Sequence, residues 1–262
     1  MELDLSPQIA DTTVYEGEEG GYYAWTAAKS PAIPQAKLGA GKLVLRPRSF
    51  ALPHYADAFK IGYVVQGLRK AHNNQTNALL VKIGEEISMP CESNCNTKDY
   101  VCDLDDLISS SVNGSTTSTV NRAELTAKNF PFLEKIGLSG SLVRLEPNSV
   151  LDPYYSTDGS HQIIYVTKGS GRIQIVGLNG TQVLDARVQE DQVFVVPKFF
   201  AAALLASEHG MEYFCVSTSP RPIFGQLAGS ESAWKALSSP VLQATLNVSP
   251  EFVKLFKSKI DL

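Results

Sequence analysis

Residues 145–169 read LEPNSVLDPYYSTDGSHQIIYVTKG, and this stretch decides the fold because a shorter version of it occurs earlier in the chain. Residues 45–67 read LRPRSFALPHYADAFKIGYVVQG. Both copies begin with Leu-x-Pro-x-Ser, continue through residues rich in proline and aromatic side chains, and end in Tyr-Val-x-x-Gly. This pattern predicts a β-hairpin unit, and its recurrence indicates that one fold is present twice.

Closely spaced strands surround the second copy, whereas the first copy lacks such a continuation. Short apolar runs, separated by turns such as Leu178-Asn179-Gly180, predict seven strands. They cover residues 142–145, 162–166, 172–176, 183–188, 193–196, 202–205 and 213–217. Many strands with no helix between them are typical of a sandwich or barrel.

The end of the sequence carries helix signals. Ser230 is a candidate cap for a helix that contains Trp234, and residues 249–251 combine a serine cap, a proline and an acid in the first turn. One apolar face follows, formed by Phe252, Leu255, Phe256 and Ile260. Such a face packs either on the chain's own barrel or on another subunit.

Composition excludes several classes of partner. The chain has 262 residues, of which 44% are apolar and 19% charged, which is enough for a sizeable core. A net charge of -4 provides no field that would attract nucleic acid or an acidic membrane. No apolar run reaches the ~20 residues of a membrane span, and the first residues, MELDLSPQIA, do not resemble a signal peptide. We therefore expect a cytoplasmic protein with neither a nucleic-acid nor a membrane partner.

Residues 91–127 carry little core material and include the low-complexity run SSSVNGSTTST, which predicts a flexible linker. Cys91 and Cys95 have a spacing compatible with zinc or a disulfide, but no histidine completes a zinc pattern. In a reducing compartment we expect Cys91, Cys95, Cys102 and Cys215 to be free thiols.

The second half of the sequence resembles the cupins. Asp191 and Pro197 begin a match to the second cupin motif, G-x5-P-x-G-x2-H-x3-N. The stretches YVTKGSGRIQIVGLNG and EDQVFVVPKFFAAALLAS resemble the plant 11S globulins, that is, the legumins and the glutelin type-A-like proteins. The start of the chain is similar to the N-terminal cupin of the same family, but that cupin is interrupted after Gly67.

This resemblance implies an all-β fold, the cupin double-stranded β-helix or jelly roll. It implies one complete barrel plus an incomplete second cupin, with a short C-terminal helical arm. The expected domains are a partial N-terminal cupin at residues 1–90, the flexible linker at 91–127, and a C-terminal cupin type-1 domain with its arm at 128–262.

The resemblance also places candidate site residues inside the second barrel. A metal-using cupin needs three histidines and a glutamate there. Tyr154, Ser156 and Gln162 hold the three first-motif places, and Ala202 holds the histidine place of the second motif. These four residues are poor metal ligands, so we predict no metal, no cofactor and no catalytic residue. They remain candidate ligand-binding residues of the barrel interior.

Three functions follow from these patterns. The resemblance implies a non-catalytic seed-storage protein, a nutrient reservoir that self-associates as a dimer or trimer. The alternative is a metal-free cupin that binds an unidentified small molecule in its barrel, and a remote alternative is a metal-dependent cupin enzyme. Composition does not favour storage strongly, because a nitrogen store should be rich in Asn, Gln and Arg, whereas this chain has an ordinary 11 Asn, 11 Gln and 8 Arg.

Overall fold

The computed structural model describes residues 4–47, 49, 58–65, 78–81, 101–102, 104, 108, 119–229 and 231–260. Its strands are β1 Thr12–Gly17, β2 Gly20–Trp25, β3 Ala40–Leu45, β4 Lys60–Tyr63, β5 Ala78–Val81, β6 Val101–Cys102, β7 Val120–Leu125, β8 Ser139–Leu145, β9 Val150–Ser156, β10 Gln162–Val176, β11 Gln182–Gln189, β12 Val193–Val196, β13 Ala201–Ser217 and β14 Phe224–Gln226. The helices are α1 Ala32–Gln35, α2 Leu133–Ile136, α3 Ala233–Ala236, α4 Ser239–Leu246 and α5 Pro250–Lys259.

An eight-stranded sheet curls into the expected jelly roll. Its path runs β11-β10-β13-β8-β7, while β12 pairs with β10, and β9 pairs with both β13 and β14. All these pairings are antiparallel. The all-β cupin architecture and the helical C-terminal region predicted from the sequence are therefore confirmed.

Two of the strands are longer than the sequence pattern suggests. Residues 162–166 and 172–176 belong to the single strand β10, and residues 202–205 and 213–217 belong to β13. Gly169 and Gly210 face each other where this pair bends, with φ of +74° and +76°. Side-chain-bearing residues avoid this backbone region, so the glycines let two long strands bend without breaking. Both glycines therefore mark a bend inside a strand and not a turn between two strands.

The sequence repeat is longer than the copies that reveal it. With an offset of one hundred, and element ends that agree to within one residue, β2, α1 and β3 of the first half match β7, α2 and β8 of the second half. Thr26-Ala27 and Pro31 correspond to Thr126-Ala127 and Pro131. This longer repeat is hard to detect in the sequence, because the residues on the two β-strands that flank each short helix differ in type between the two copies.

The two repeats exchange apolar contacts. Trp25 and Ile33 of the first repeat belong to the main core of the second barrel, and the Trp25 ring meets Tyr165 edge-on at 6.2 Å. Reciprocally, the second-repeat residue Leu125 lies in a cluster with Tyr63, whose ring stacks on Phe214 at 4.6 Å. Trp25 matches Leu125 and Tyr63 matches Tyr165 in the repeat. In each repeat, the last residue of the strand before the short helix thus lies in the apolar cluster that contains the tyrosine of the other repeat.

Polar contacts reinforce the same joint. Gln8 pairs with Val193 through both backbone hydrogen bonds, at 2.9 and 2.8 Å. Trp25 Nε1 donates to the Gln8 carbonyl at 2.8 Å. Asp191 accepts from both Lys42 Nζ and the Tyr165 hydroxyl at 2.5 Å. The first β-sheet is therefore fixed to the second barrel rather than left without a partner.

One sequence prediction needs correction. Residues 91–127 are not one flexible linker, because residues 101–102 form β6, Leu104 and Ile108 are buried, and residues 120–125 form β7, which pairs along its length with β8. The side chains of Ala123 and Leu125 are buried there. Cys91 and Cys95 lie outside the described residues, whereas Cys215 is a free buried thiol.

Serine side chains cap the N-termini of the first and the last helix of the arm. The N-cap of the first helix, α3, is Ser232, whose Oγ accepts from Trp234 N at 3.2 Å, whereas Ser230, the expected cap, lies outside the described residues. The cap expected for α5 is present, because Ser249 Oγ accepts from Phe252 N at 3.3 Å. In the described part of the chain, no helix is long and apolar enough to cross a membrane.

Candidate functional site

The inner face of the barrel is built in rows across four strands. Pairing places Ser139, Ser217 and Gln162 in one row, and Ser141, Cys215 and Ile164 in the next. A third row contains Val143, Tyr213 and Val166. Strand β7 extends the second and third rows with Glu124 and Arg122. Because side chains alternate along each strand, all of these project to the same concave face.

The four candidate site residues lie on three strands and are all buried. Tyr154 on β9 and Ala202 on β13 are cross-strand partners. Ser156 Oγ donates to the Ser160 carbonyl at 2.8 Å and accepts from Phe199 N at 3.1 Å. The Gln162 amide lies 3.4 Å from Cys215 Sγ. Internal partners thus occupy the polar groups of Ser156 and Gln162.

A cleft opens beside this group, and only Gln162 among the four candidates lines it. Its other lining residues are Arg122, Glu124, Thr126, Ser139, Gly140, Ser141, Tyr213, Cys215, Ser217, Pro222 and Phe224. Sequence reasoning missed Arg122 and Glu124 because they fall in the segment predicted to be a linker. The offset that relates β7 to β2 is the signal that would have placed them on a strand.

Arg122 is the central charged group of the cleft. Its guanidinium hydrogen-bonds to the Tyr213 side chain and lies near Tyr154 and Cys215. Its Nη1 is 3.3 Å from Glu124 Oε1, with 31% of the Arg122 side chain and 51% of the Glu124 side chain exposed. The cleft therefore holds one cation, half-buried among phenols, with a carboxylate at its rim.

The thiol of Cys215 is not a nucleophile in this setting. Burial raises its pKa to about 11, against the opposing effects of the Arg122 charge and of hydrogen bonds with Ser217, Ser141 and Gln162. Nucleophilic attack requires the thiolate. Burial likewise raises the pKa of Tyr213, although Arg122 lowers it in part. At neutral pH both groups are protonated and act as hydrogen-bonding groups.

Metal ligands are not assembled in the part of the chain that the structure describes. No group of three or more His, Cys, Asp or Glu side chains lies close enough there to hold a metal ion. His161 adjoins Gln162 in sequence, and its Nδ1 accepts from Lys198 N at 3.4 Å. Burial and then the Lys198 charge lower the pKa of His161.

A comparison with protein families identifies this barrel. The family model described as Cupin matches residues 108–254, more than half of the chain. The chain belongs to the cupin family. The match begins upstream of β7 and ends in α5, so this cupin unit includes both the cleft and most of the helical arm.

The relatives of this cupin are plant storage globulins. It is 35% identical to glycinin G3 of Glycine max over 51% of this chain and 27% of the relative. It is 29% identical to glutelin type-A 1 of Oryza sativa subsp. japonica over 51% of this chain and 26% of that protein. The pro-11S globulin of pumpkin superposes with a TM-score of 0.53 at 29% identity, covering 55% of this chain and 37% of that one. The matches span roughly a quarter to a third of these relatives and confirm the resemblance to the 11S globulins.

At the two glycine places of the second cupin motif, this chain has other residues that still adopt a positive φ. Asp191 and Phe199 occupy the two glycine places of that motif, with φ of +69° and +67°. At Asp191 this conformation is compensated, because the carboxylate accepts hydrogen bonds from Lys42 Nζ and the Tyr165 hydroxyl. Phe199 is 41% exposed and adopts the same left-handed conformation; its backbone N–H donates to Ser156 Oγ, but its side chain cannot form a hydrogen bond in return for the strain. The strain of the motif is therefore concentrated at Phe199.

Relief of this strain is measurable. We expect Phe199→Gly to be about 1 kcal/mol more stable than Phe199→Ala, since both remove the ring but only glycine adopts positive φ freely. Chemical denaturation of the two variants measures the difference. An alanine variant as stable as the glycine variant would show that the backbone at residue 199 is not strained.

Proposed function

We propose that this cupin is a nutrient reservoir of the 11S-globulin type and not an enzyme. The main support is that the four positions where cupin enzymes bind their metal hold Tyr154, Ser156, Gln162 and Ala202. In addition, the polar groups of Ser156 and Gln162 are already engaged by internal contacts. A site for chemistry needs groups free to meet a substrate. The names of the curated relatives, a glycinin and a glutelin, support the same role.

The storage role predicts how the protein accumulates. In the source plant we expect the chain to build up during seed maturation and to be degraded after germination. Quantitative immunoblotting of staged seeds, with a constitutive enzyme as reference, measures this. A level that stays constant and low through both stages would contradict the storage role.

The absence of a metal centre is a separate prediction. We expect much less than one equivalent of Mn, Fe, Cu or Zn per purified chain, because the motif places offer no imidazole and no carboxylate. Elemental analysis of the full chain measures this. One equivalent that is lost in Gln162→Ala would identify a metal site at the motif and would favour the enzyme alternative.

We propose that the chain also self-associates, through an uncovered face of its first repeat. Tyr22 and Leu43 are cross-strand partners on that face and are 40% and 51% exposed. The repeat counterpart of Leu43 is Val143, which is fully buried in the second barrel. Among the described residues β3 pairs only with β2, whereas its counterpart β8 pairs with both β7 and β13. In the second repeat, the matching sheet face and the edge of β8 are covered. In the first repeat, the face that carries Tyr22 and Leu43 is exposed, and β3 has no second strand among the described residues. A second copy of the chain can cover both.

The helical arm supplies a second apolar surface. Val253 is buried, so α5 packs on its own chain through that residue. Phe252 and Leu255 remain 46% and 57% exposed on another side of the helix. Phe256 is partly covered by the edge-on Trp234 ring. The arm therefore both packs internally and presents an apolar surface for a neighbour.

Charge substitutions test this association. We expect Leu43→Asp combined with Phe252→Asp to lower the sedimentation coefficient from that of a dimer or trimer to that of a monomer, because a buried carboxylate opposes contact. Leu178→Asp is the matched control, since Leu178 is 74% exposed in a turn of the barrel. A wild-type chain that is monomeric at micromolar concentration would refute the proposal.

A further inference from the structure

The free edge of β3 carries backbone groups that no described strand pairs. Arg46 N donates to the Glu19 carbonyl at 3.0 Å, so these two residues form a hydrogen-bonded pair at the end of the β2–β3 ladder. The rest of that ladder has no bulge. Successive residues of an antiparallel strand point their backbone groups to opposite sides. The N–H and C=O groups of Gly41, Leu43 and Leu45 therefore point away from β2.

The second repeat shows what belongs on this side of the strand. Glu146 N donates to the Thr119 carbonyl at 3.0 Å, at the same place one hundred residues later. Ser141, Val143 and Leu145 therefore point their backbone groups away from β7, and β13 pairs with all three. The first repeat has the same outward groups, but among the described residues β3 pairs only with β2. Its edge is shaped for one more antiparallel strand.

We propose that two copies of the chain supply this strand to each other, through antiparallel pairing of their β3 strands about a two-fold axis at Leu43. Leu43 then faces Leu43 of the second copy, and Gly41 faces Leu45 of the second copy. The two three-stranded sheets become one continuous sheet. An isologous contact of this kind closes after two copies and forms a dimer. The inference rests on the self-association proposed above and specifies its geometry.

Charge and proline select this register from the neighbouring ones. An axis one residue earlier would place two Lys42 side chains opposite each other, and an axis one residue later would place Lys42 opposite Arg46. Like charges directly opposite each other are destabilising. An axis two residues later would require a backbone N–H from Pro47, which has none. With the axis at Leu43, Lys42 faces Val44 instead.

The side chains of β3 favour a contact that excludes water. Leu43, Val44 and Leu45 are 51%, 39% and 44% exposed. Burial of apolar surface of this kind stabilises association. Lys42 lies on the same strand, but its charge is balanced by Asp191 of its own chain. The edge can therefore enter an interface without an unpaired cation.

Other edge strands of the described sheets are protected, whereas β3 is not. The register of β1 shifts between Thr13 and Tyr15, which marks a bulge or irregularity. Strand β7 carries Arg122, and β11 carries Asp185 and Arg187. Bulges and charged side chains are the usual means by which proteins prevent edge-to-edge pairing. The regular, apolar edge of β3 is therefore the one that pairs with its own copy.

Disulfide trapping tests the register. Leu43→Cys places the two introduced thiols on Cα atoms about 5.5 Å apart in the proposed pairing, within the ~4.4–6.8 Å that a disulfide spans. Leu45→Cys is the matched control, because residue 45 lies on the same face and is similarly exposed. Its Cα atoms would be about 14 Å apart, four residues along the strand. We expect diamide to link most Leu43→Cys chains in pairs, and at least tenfold fewer Leu45→Cys chains. Peptide mapping distinguishes this bond from any that involves Cys91 or Cys95.

A proline tests the backbone hydrogen bonds. Leu43→Pro removes the outward N–H, whereas Leu43→Ala loses the same leucine side chain but keeps that N–H. Both variants keep the ladder to β2, because the backbone groups of residue 43 point away from it. We expect the dimer dissociation constant of Leu43→Pro, measured by sedimentation equilibrium on the full chain, to be at least tenfold higher than that of Leu43→Ala. If Leu43→Pro fails to fold, disulfide trapping decides alone.

The outcomes separate the geometry from association itself. A wild-type trimer would overturn the two-fold pairing while leaving self-association intact, because a cyclic trimer has no two-fold axis. The pairing is also wrong if Leu45→Cys cross-links as readily as Leu43→Cys, or if Leu43→Pro associates as tightly as Leu43→Ala. A wild-type chain that is monomeric at micromolar concentration refutes both self-association and the pairing.

Discussion

Replacing Trp25 with alanine is expected to weaken the attachment of residues 4–47 to the barrel by about 3–5 kcal/mol, the usual cost of removing a buried tryptophan. Trp25 is 7% exposed, meets Tyr165 edge-on and donates to the Gln8 carbonyl. Its loss leaves a cavity in the joint between the repeats and removes one of the two hydrogen bonds that the Gln8 carbonyl accepts, the other coming from Val193 N. Hydrogen exchange of the β2 amides, together with limited proteolysis, measures the loosening.

Tyr22→Ala is the matched control for this experiment. Tyr22 lies on the same strand as Trp25 but is 40% exposed on the opposite face. Its substitution should leave the joint intact. If Trp25→Ala exchanges no faster than Tyr22→Ala, the first repeat does not depend on this contact for its position.

Replacing Glu212 with glutamine is expected to destabilise the barrel by about 2–4 kcal/mol at neutral pH. Glu212 is 7% exposed, and its Oε2 accepts from Arg144 Nε at 2.6 Å. Its Oε1 accepts from Thr167 Oγ1 at 2.8 Å and lies 3.4 Å from Lys168 Nζ. Glutamine loses the charge that balances Arg144 and Lys168. Urea denaturation measures the change.

The pH dependence of this effect has a definite sign. Burial alone would raise the pKa of Glu212, but the hydrogen bonds from Arg144 and Thr167 and the Lys168 charge outweigh it, so the pKa lies below the ordinary value of 4.5. The ionised form therefore stabilises the fold above that value, and the benefit is lost as pH falls through the lowered pKa.

We expect the stability difference between wild type and Glu212→Gln to shrink in this acidic range. Glu134→Gln is the control, because Glu134 and its partner Arg221 are both half-exposed on the surface. A difference that stays constant down to the acid-unfolding range would exclude ionisation of Glu212 as its source.

The candidate site could be predicted only in part. The cupin motif spacing identified Tyr154, Ser156, Gln162 and Ala202, and all four are buried on barrel strands. Spacing could not identify Arg122, because this residue lies outside both cupin motifs. Polar and apolar residues do alternate from Arg122 to Leu125, but four residues next to a low-complexity run are too short a pattern to predict a strand.

The sequence by itself determined the features that depend on short-range chemistry. Alternating apolar residues specified the barrel strands, and residues 249–251 specified the start of α5. The repeated Leu-x-Pro-x-Ser segments revealed the duplication. These signals are local, because strand alternation and helix capping involve residues only a few positions apart.

Only the tertiary structure decided which repeat covers which surface. Trp25 packs on Tyr165, and Lys42 binds Asp191, across more than a hundred residues of sequence. Leu43 remains exposed while its counterpart Val143 is buried, although both are apolar residues on matching strands. Burial depends on which other strands are present to pair and pack, and that is a property of the assembled sheets and not of any one segment.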